Sequence, residues 1–88
     1  MVKVWSDKAW DDYLYWQEKD KKMLVKINKL IKDIERNGES EGIGKPEPLK
    51  GNLSGFWSRH INEKDRLIYC IADGRLEIAQ CLTHYGDN

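Results

Sequence analysis

The sequence has little cysteine and little proline, and it has no excess of charge of either sign. Its 88 residues include two cysteines and two prolines, and 15 Lys and Arg balance 15 Asp and Glu. Two cysteines without a CxxC pair make neither a disulfide framework nor a typical zinc or redox motif, so we expect no metal and no cofactor. The balanced charge, which holds in each half of the chain, predicts no general affinity for nucleic acid or membranes. Any RNA binding would depend on a local patch.

Long hydrophobic runs are also missing. No stretch approaches the roughly 20 apolar residues that cross a bilayer, and the first residues lack the apolar segment of a signal peptide. We therefore expect a cytoplasmic protein that does not bind membranes. With 40% hydrophobic and 34% charged residues, the chain is too apolar for disorder and too short for two cores. Residues 1–88 are expected to form a single domain.

Hydrophobic periodicity predicts two helices after a short N-terminal strand. Ser6 is a favourable N-cap for a helix over residues 7–18, and Asp20 is one for a second helix that ends at Asn37-Gly38. The apolar face of the first helix is expected to contain Trp10, Tyr13, Leu14 and Gln17. The apolar face of the second is expected to contain Met23, Leu24, Ile27, Leu30, Ile31 and Ile34.

Three strands are predicted after a loop over residues 38–54 that is rich in glycine and contains both prolines. Period-two alternation marks these strands at residues 56–61, 66–72 and 75–83. Asp73-Gly74 is a strong two-residue hairpin signal, and Asn62 to Asp65 can close the preceding hairpin as a four-residue loop. The predicted fold class is α+β, with an N-terminal strand and a two-helix hairpin packed on an antiparallel β-sheet.

The predicted register decides which side chains share a face of the sheet. With a four-residue loop, Ile61 pairs with Arg66 and Arg59 pairs with Ile68. Arg59 and Arg66 then lie on the face away from the helices, together with Trp57 and Tyr85, and His60 lies on the helix-covered face as a structural histidine. The open face could hold RNA phosphates and bases, and an ordinary solvated sheet face is an equally good interpretation of its composition.

The same register separates the two cysteines. Cys70 and Cys81 would share a face but lie four residues out of step, which is about 13 Å along the strands. That distance excludes a disulfide and a shared zinc site, so both are expected to be unreactive thiols.

A carboxylate in the loop is the most distinctive candidate for chemistry. Glu47 lies between Pro46 and Pro48, which hold it in an extended and stiff segment, and Lys45 and Lys50 would favour its ionised form. A solvated loop is the alternative interpretation of this segment.

Together with Arg66 and His84, Glu47 suits metal-free RNA cleavage. A base takes the proton of a ribose 2′-OH, a cation stabilises the charge at phosphorus, and an acid protonates the departing 5′ oxygen. Strict alternation points His84 away from Arg66, so a kink or twist at the end of the chain would be needed.

Several runs of the sequence closely resemble the Txe/YoeB toxins of bacterial type II toxin–antitoxin systems, which belong to the RelE-like ribonuclease superfamily. The resemblance covers nearly the whole chain. The runs that carry it are Trp5-Ser6, Trp10-Asp-Asp-Tyr-Leu-Tyr-Trp16, Lys26-Ile-Asn28, Leu30-Ile-Lys-Asp33, Gly44-Lys-Pro-Glu-Pro-Leu-Lys50, Asn52-Leu-Ser-Gly-Phe-Trp-Ser-Arg59, Arg66-Leu-Ile-Tyr69 and His84-Tyr85.

This resemblance implies the RelE-like microbial RNase fold and an mRNA interferase that cuts the codon in the ribosomal A site. It implies that Glu47 is the general base, Arg66 the transition-state cation and His84 the general acid. Lys50, Arg59 and Tyr85 would contact or orient the RNA. The implied partners are a YefM-like antitoxin and the 70S ribosome with its mRNA. A homodimer is a further candidate assembly, and the sequence leaves the oligomeric state open. A translation inhibitor that does not cut, or a protein-interaction module, remains the alternative.

Overall fold

The computed structural model describes residues 1–82 as two helices packed on one face of a five-stranded sheet. The chain runs through β1 (Val2–Trp5), α1 (Asp7–Lys19), α2 (Lys21–Asn37), β2 (Glu47–Pro48), a short 3₁₀ helix (Gly51–Leu53), β3 (Trp57–His60), β4 (Arg66–Ala72) and β5 (Arg75–Gln80). The strand order is β1-β5-β4-β3-β2. The predicted α+β class is confirmed.

The sheet is mixed rather than wholly antiparallel. β3, β4 and β5 form the predicted antiparallel meander, while β1 adds to β5 in parallel and β2 adds to β3 at the opposite edge. The parallel pair follows from topology, because α1 and α2 lie between β1 and the meander and allow the chain to return in the same direction.

The helix boundaries follow the predicted caps. The Ser6 hydroxyl accepts a hydrogen bond from the Ala9 N–H at 2.9 Å, and the Asp20 carboxylate accepts one from the Lys22 N–H at 3.1 Å. Gly38, at a φ of 90°, ends α2 where glycine was expected. Within residues 1–82, neither helix combines the length and the apolar character needed to cross a membrane.

The core lies between the helices and the sheet. From α2 it takes Ile27, Leu30, Ile31 and Ile34, as predicted. In α1, however, the buried residues are Ala9, Asp12 and Trp16. Of the predicted apolar face, Tyr13 packs against the core as expected, whereas Trp10, Leu14 and Gln17 are exposed, so the prediction was wrong for these three. The physical reason is that Asp12 and Trp16 bind the backbone of Cys81. Asp12 accepts a hydrogen bond from the Cys81 N–H at 3.0 Å, and the Trp16 indole N–H donates to the Cys81 carbonyl at 2.7 Å.

The β4–β5 hairpin has the predicted turn and one unpredicted bulge. Ala72 pairs with Arg75 as expected, but the register shifts by one between Ile68 and Tyr69, so that Ile68 pairs with Gln80. The bulge brings Cys81 into the core, so the prediction that Cys70 and Cys81 share a face was wrong. Both cysteines are free thiols, as expected, and burial raises the pKa of Cys81 to about 12.

Candidate active site

The segment that carries Glu47 forms the outer strand of the sheet. Glu47 pairs with Ser58 of β3 and is exposed. The segment is fixed on both sides, because the His60 N–H donates to the Gly44 carbonyl at 2.7 Å and the Leu49 N–H donates to the Phe56 carbonyl at 2.9 Å. Proline is tolerated on such an edge strand since it needs no outward N–H. The structure thus presents the Glu47 carboxylate from an anchored strand rather than from a loose loop.

Arg66 begins β4 and lies on the same open face of the sheet as Glu47. The predicted pairing of Ile61 with Arg66 was wrong, since Arg66 pairs with His60. His60 and Ser58 are two residues apart on β3, so they share a face, and so do their partners Arg66 and Glu47.

A tight turn holds the Arg66 guanidinium. Its Nη1 donates to the carbonyls of Asn62, Glu63 and Asp65 at 3.0, 3.1 and 3.2 Å. The guanidinium is therefore oriented from one side and is only half-buried. A fixed cation of this kind can stabilise negative charge that develops at a bound phosphate.

His60 was expected on the helix-covered face, and the structure places it on the open face instead. Burial lowers the pKa of His60 below its ordinary value of 6.5, and the charges of Arg66 and Lys45 lower it further, while Glu47 opposes them. The pKa of this imidazole thus depends on three charged groups, which are Glu47, Arg66 and Lys45.

Arg59 was expected on the open face as an RNA contact, and the structure places it in the interior. It pairs with Leu67, a core residue, and its side chain is 0% exposed. The physical reason is a one-residue difference in register, because the loop before β4 has five residues rather than four and each side chain of β3 changes face. Ile61 enters the core for the same reason.

All five N–H groups of the Arg59 guanidinium are used within the protein. Nε donates to the Tyr69 hydroxyl at 2.8 Å, Nη1 to Asp33 at 2.6 Å and to the Ile43 carbonyl at 3.0 Å. Nη2 donates to the carbonyls of Gly38 at 2.9 Å and Glu41 at 2.7 Å. Because a guanidinium has five donors, none is left for a phosphate, and the predicted RNA contact of Arg59 is wrong.

The Arg59 network instead fixes the loop that leads to Glu47. The hydrogen bond from Arg59 lowers the pKa of the Asp33 carboxyl below its ordinary value, so Asp33 stays ionised as the partner of a buried cation. The Tyr69 hydroxyl extends the network by donating to the Glu39 carbonyl at 2.7 Å. One signal in the sequence could have revealed that Arg59 is buried. The apolar residues Trp57 and Ile61 alternate with it on the same face and pack on the core.

Gly42 lies close against this network. Its φ is 123°, and a Cβ there would overlap the Asp33 carboxylate and lie 2.9 Å from Nη1 of Arg59. We expect Gly42→Ala to lower the free energy of unfolding by roughly 2–4 kcal/mol in urea denaturation, because backbone strain and a buried clash add. Gly55→Ala is the matched control, since Gly55 has a φ of 95° and open space around it; a loss of about 1–2 kcal/mol is expected there. Equal losses in the two variants would contradict the close approach.

The remaining predicted site residues are one described lysine and two residues at the end of the chain. Lys50 is exposed and immediately precedes the 3₁₀ helix, three residues after Glu47. His84 and Tyr85 lie outside the described residues, so their predicted roles stay predictions. The last fixed point before them is Cys81, whose backbone N–H and carbonyl are both held by α1.

Comparison with known proteins places this α+β chain among the toxins of bacterial toxin–antitoxin systems. A family described as "YoeB-like toxin of bacterial type II toxin-antitoxin system" matches residues 5–85. Toxin YoeB of Escherichia coli K12 is 60% identical over 85 residues, which are 97% of this chain and 100% of that toxin. Toxin YoeB of Synechocystis is 56% identical over 93% of this chain and 94% of that toxin. The chain belongs to the YoeB-like toxin family.

Solved structures agree with this assignment. A YoeB–YefM toxin–antitoxin heterotetramer from Staphylococcus aureus aligns with a TM-score of 0.90 and 52% identity over 97% of this chain and 98% of the solved one. A YoeB dimer from the same organism aligns with a TM-score of 0.91, also at 52% identity and with the same coverage. YafQ from E. coli, at 24% identity and a TM-score of 0.78 over 93% of this chain and 91% of its own, shares the fold.

Proposed function

We propose that this toxin is a ribosome-dependent mRNA endoribonuclease that cuts mRNA in the ribosomal A site and so inhibits translation. The observation that carries the proposal is the placement of Glu47 and Arg66 on one open face, with His60 between them in the strand register. A carboxylate and an oriented cation on one face can act on the 2′-OH and on the phosphoryl oxygens of one ribose-phosphate linkage.

The proposed reaction is an internal transesterification that needs no redox change. Glu47 takes the proton of the 2′-OH, and the 2′ oxygen forms a bond to the adjacent phosphorus while the bond to the 5′ oxygen breaks. Arg66 stabilises the negative charge that accumulates on the phosphoryl oxygens. His84 donates a proton to the departing 5′ oxygen. The products are a 2′,3′-cyclic phosphate and a free 5′-OH.

Covalent geometry allows His84 to take part from the anchor at Cys81. Three residues of extended chain span at most about 11 Å. The anchor follows Gln80 directly, and Gln80 pairs with Ile68, which is two residues from Arg66 on β4. The three residues that follow Cys81 are therefore long enough to allow His84 to reach the site beside Arg66. Lys50 and Tyr85 are proposed as RNA contacts beside this site.

The proposed partners are the 70S ribosome with its mRNA and a YefM-like antitoxin, and we propose a homodimer as a further assembly. The antitoxin and the homodimer are supported by two Staphylococcus aureus relatives, which were solved as a YoeB–YefM complex and as a YoeB dimer. Because ribosomes and mRNA meet in the cytoplasm, the proposed activity belongs there.

Primer extension on programmed ribosomes tests the proposal. We expect new mRNA ends at a single A-site codon when toxin is added to ribosomes stalled at a defined position, and loss of these ends when a YefM-like antitoxin is added first. Free mRNA treated in parallel shows whether the ribosome is required. Inhibited translation with intact mRNA would support a toxin that occupies the A site without cutting, and unaffected translation would support a protein-interaction module.

A further inference from the structure

His60 lies in the middle of the candidate site although the proposed reaction gives it no role. It is the last residue of β3, where its strand partner is Arg66, and its backbone N–H is bonded to the Gly44 carbonyl at 2.7 Å. The residue after Gly44 is Lys45, which has an unusual positive φ of 55°. The imidazole is half-buried, and the backbone that carries it is held in place by the strand pairing and by this hydrogen bond.

The charged groups that face His60 come from three elements. Arg66 of β4 and Lys45 of the loop before β2 are cations, and Glu47 of β2 is the only anion among the described residues whose charge acts on the pKa of His60. The two cations and partial burial lower this pKa, so the imidazole is largely neutral at neutral pH in the free protein. One negative charge added beside these two cations would raise the pKa of this imidazole.

A phosphodiester supplies such a charge. When its oxygens lie against Lys45 and Arg66, they offset the repulsion that these cations exert on a protonated His60 and add an attraction of their own. The imidazolium can then donate a charge-assisted hydrogen bond to a phosphoryl oxygen. The pKa of His60 must rise on binding, and by linkage the affinity must rise as the pH falls.

We propose that His60 is a phosphate-binding residue of this site that takes up a proton when RNA binds. The proposal rests on the proposed function, because it requires RNA at the face that carries Glu47 and Arg66. It gives His60 a part in binding the substrate phosphate and leaves the proton transfers of the reaction with Glu47 and His84.

The test is a binding measurement in the His84→Ala background, where His60 is the only histidine left in the sequence. The probe is a ribosome programmed with mRNA that carries a 2′-deoxynucleotide at the A-site cleavage position, which keeps the RNA intact. Binding is measured between pH 5 and 8. Between the free and the bound pKa of His60 the affinity should fall with rising pH, about tenfold for each unit that separates the two values.

Variants at position 60 separate this effect from other titrations in the ribosome. His60→Gln in the same background should bind weakly at every pH, and His60→Arg, which keeps a permanent cation, should bind tightly at every pH. Lys64→Gln, which removes an exposed charge from the neighbouring turn, should retain the pH dependence of the parent. Thermal unfolding confirms that the variants are folded.

The outcomes distinguish this inference from the proposed function. The same pH dependence in the parent and in His60→Gln, or no binding by the parent at any pH, overturns the role of His60. Cleavage by the unmodified toxin is measured separately. If that toxin cleaves mRNA while the ratio of the affinities of the parent and of His60→Gln does not change with pH, the role of His60 is wrong and the proposed nuclease activity stands. In the cleavage assay, His60→Gln should raise KM with little change in kcat.

Discussion

Glu47→Gln is expected to lower the rate of mRNA cleavage on programmed ribosomes by about 10² to 10⁴-fold, the range that one general base contributes. The amide has nearly the shape of the carboxylate, so the strand pairing of position 47 with Ser58 should persist. It cannot, however, take the proton of the 2′-OH. Single-turnover cleavage at saturating toxin measures the chemical step without a contribution from binding.

The matched control for this variant is Glu41→Gln. Glu41 is also exposed and belongs to the same loop, and its contribution to the fold is a backbone carbonyl that the substitution keeps. Its cleavage rate should stay within about twofold of the unmodified toxin. Similar losses in the two variants, or a loss below tenfold in Glu47→Gln, would remove Glu47 from the role of base.

The same assay applies to the other two members of the proposed catalytic set. Arg66→Ala removes the oriented cation and His84→Ala removes the acid, and each is expected to lose most of the activity while the protein stays folded. Because groups that act together are not additive, the double variant should lose little more than the worse single variant.

Arg59→Ala is expected to lower the free energy of unfolding by about 3–5 kcal/mol, the cost of removing one partner of a buried ion pair. The substitution leaves the carboxylate of Asp33 and several loop carbonyls without the donors that Arg59 supplies. Since small domains have only about 5–15 kcal/mol of stability, this loss approaches the limit for folding. Urea denaturation followed by tryptophan fluorescence measures it.

Two further variants keep this prediction testable if Arg59→Ala does not fold. Arg59→Lys retains the charge but loses most of the five hydrogen bonds, so it should be less stable than the parent and more stable than the alanine variant. Arg36→Ala removes an exposed arginine from the last turn of α2 and should change the stability by less than about 1 kcal/mol. A loss below 1 kcal/mol in Arg59→Ala would contradict the buried network.

Most of the fold was predictable because local signals agree with it. Ser6, Asp20 and Gly38 bound the helices, and Asp73-Gly74 forms the turn between β4 and β5 at the expected pairing of 72 with 75. The parallel position of β1 was not predictable, because four residues of strand pattern do not show which edge of the sheet they join.

The errors in the site come from single-residue steps that composition does not reveal. A loop of four residues before β4 and one of five fit the sequence equally well, but they exchange the faces of Arg59 and His60. In the structure the five-residue form is stabilised by the Asn62 side chain, whose oxygen accepts the N–H groups of Lys64 at 2.8 Å and Asp65 at 2.6 Å. The bulge beside Tyr69 has no sequence signal of its own.

The sequence predicted the face of Arg66 and the extended segment of Glu47, but it did not predict on which face of the sheet Glu47 lies. The proline on each side of Glu47 marks a stiff extended segment, and this is physical information that the sequence contains. Arg66 shares its face with Ile68 through simple alternation on β4, which does not depend on the loop length. His60 was missed as a site residue because its environment depends on the register and on Lys45, which no local pattern brings together.

The measurement that tests the account most directly is cleavage of programmed mRNA that carries one 2′-deoxynucleotide on the 5′ side of the scissile bond. If the 2′ oxygen is the nucleophile, this RNA stays intact while the all-ribose RNA yields a 2′,3′-cyclic phosphate and a 5′-OH. Cleavage of the deoxy-substituted RNA at the same position, or products that carry a 5′-phosphate, would contradict the proposed roles of Glu47, Arg66 and His84 together.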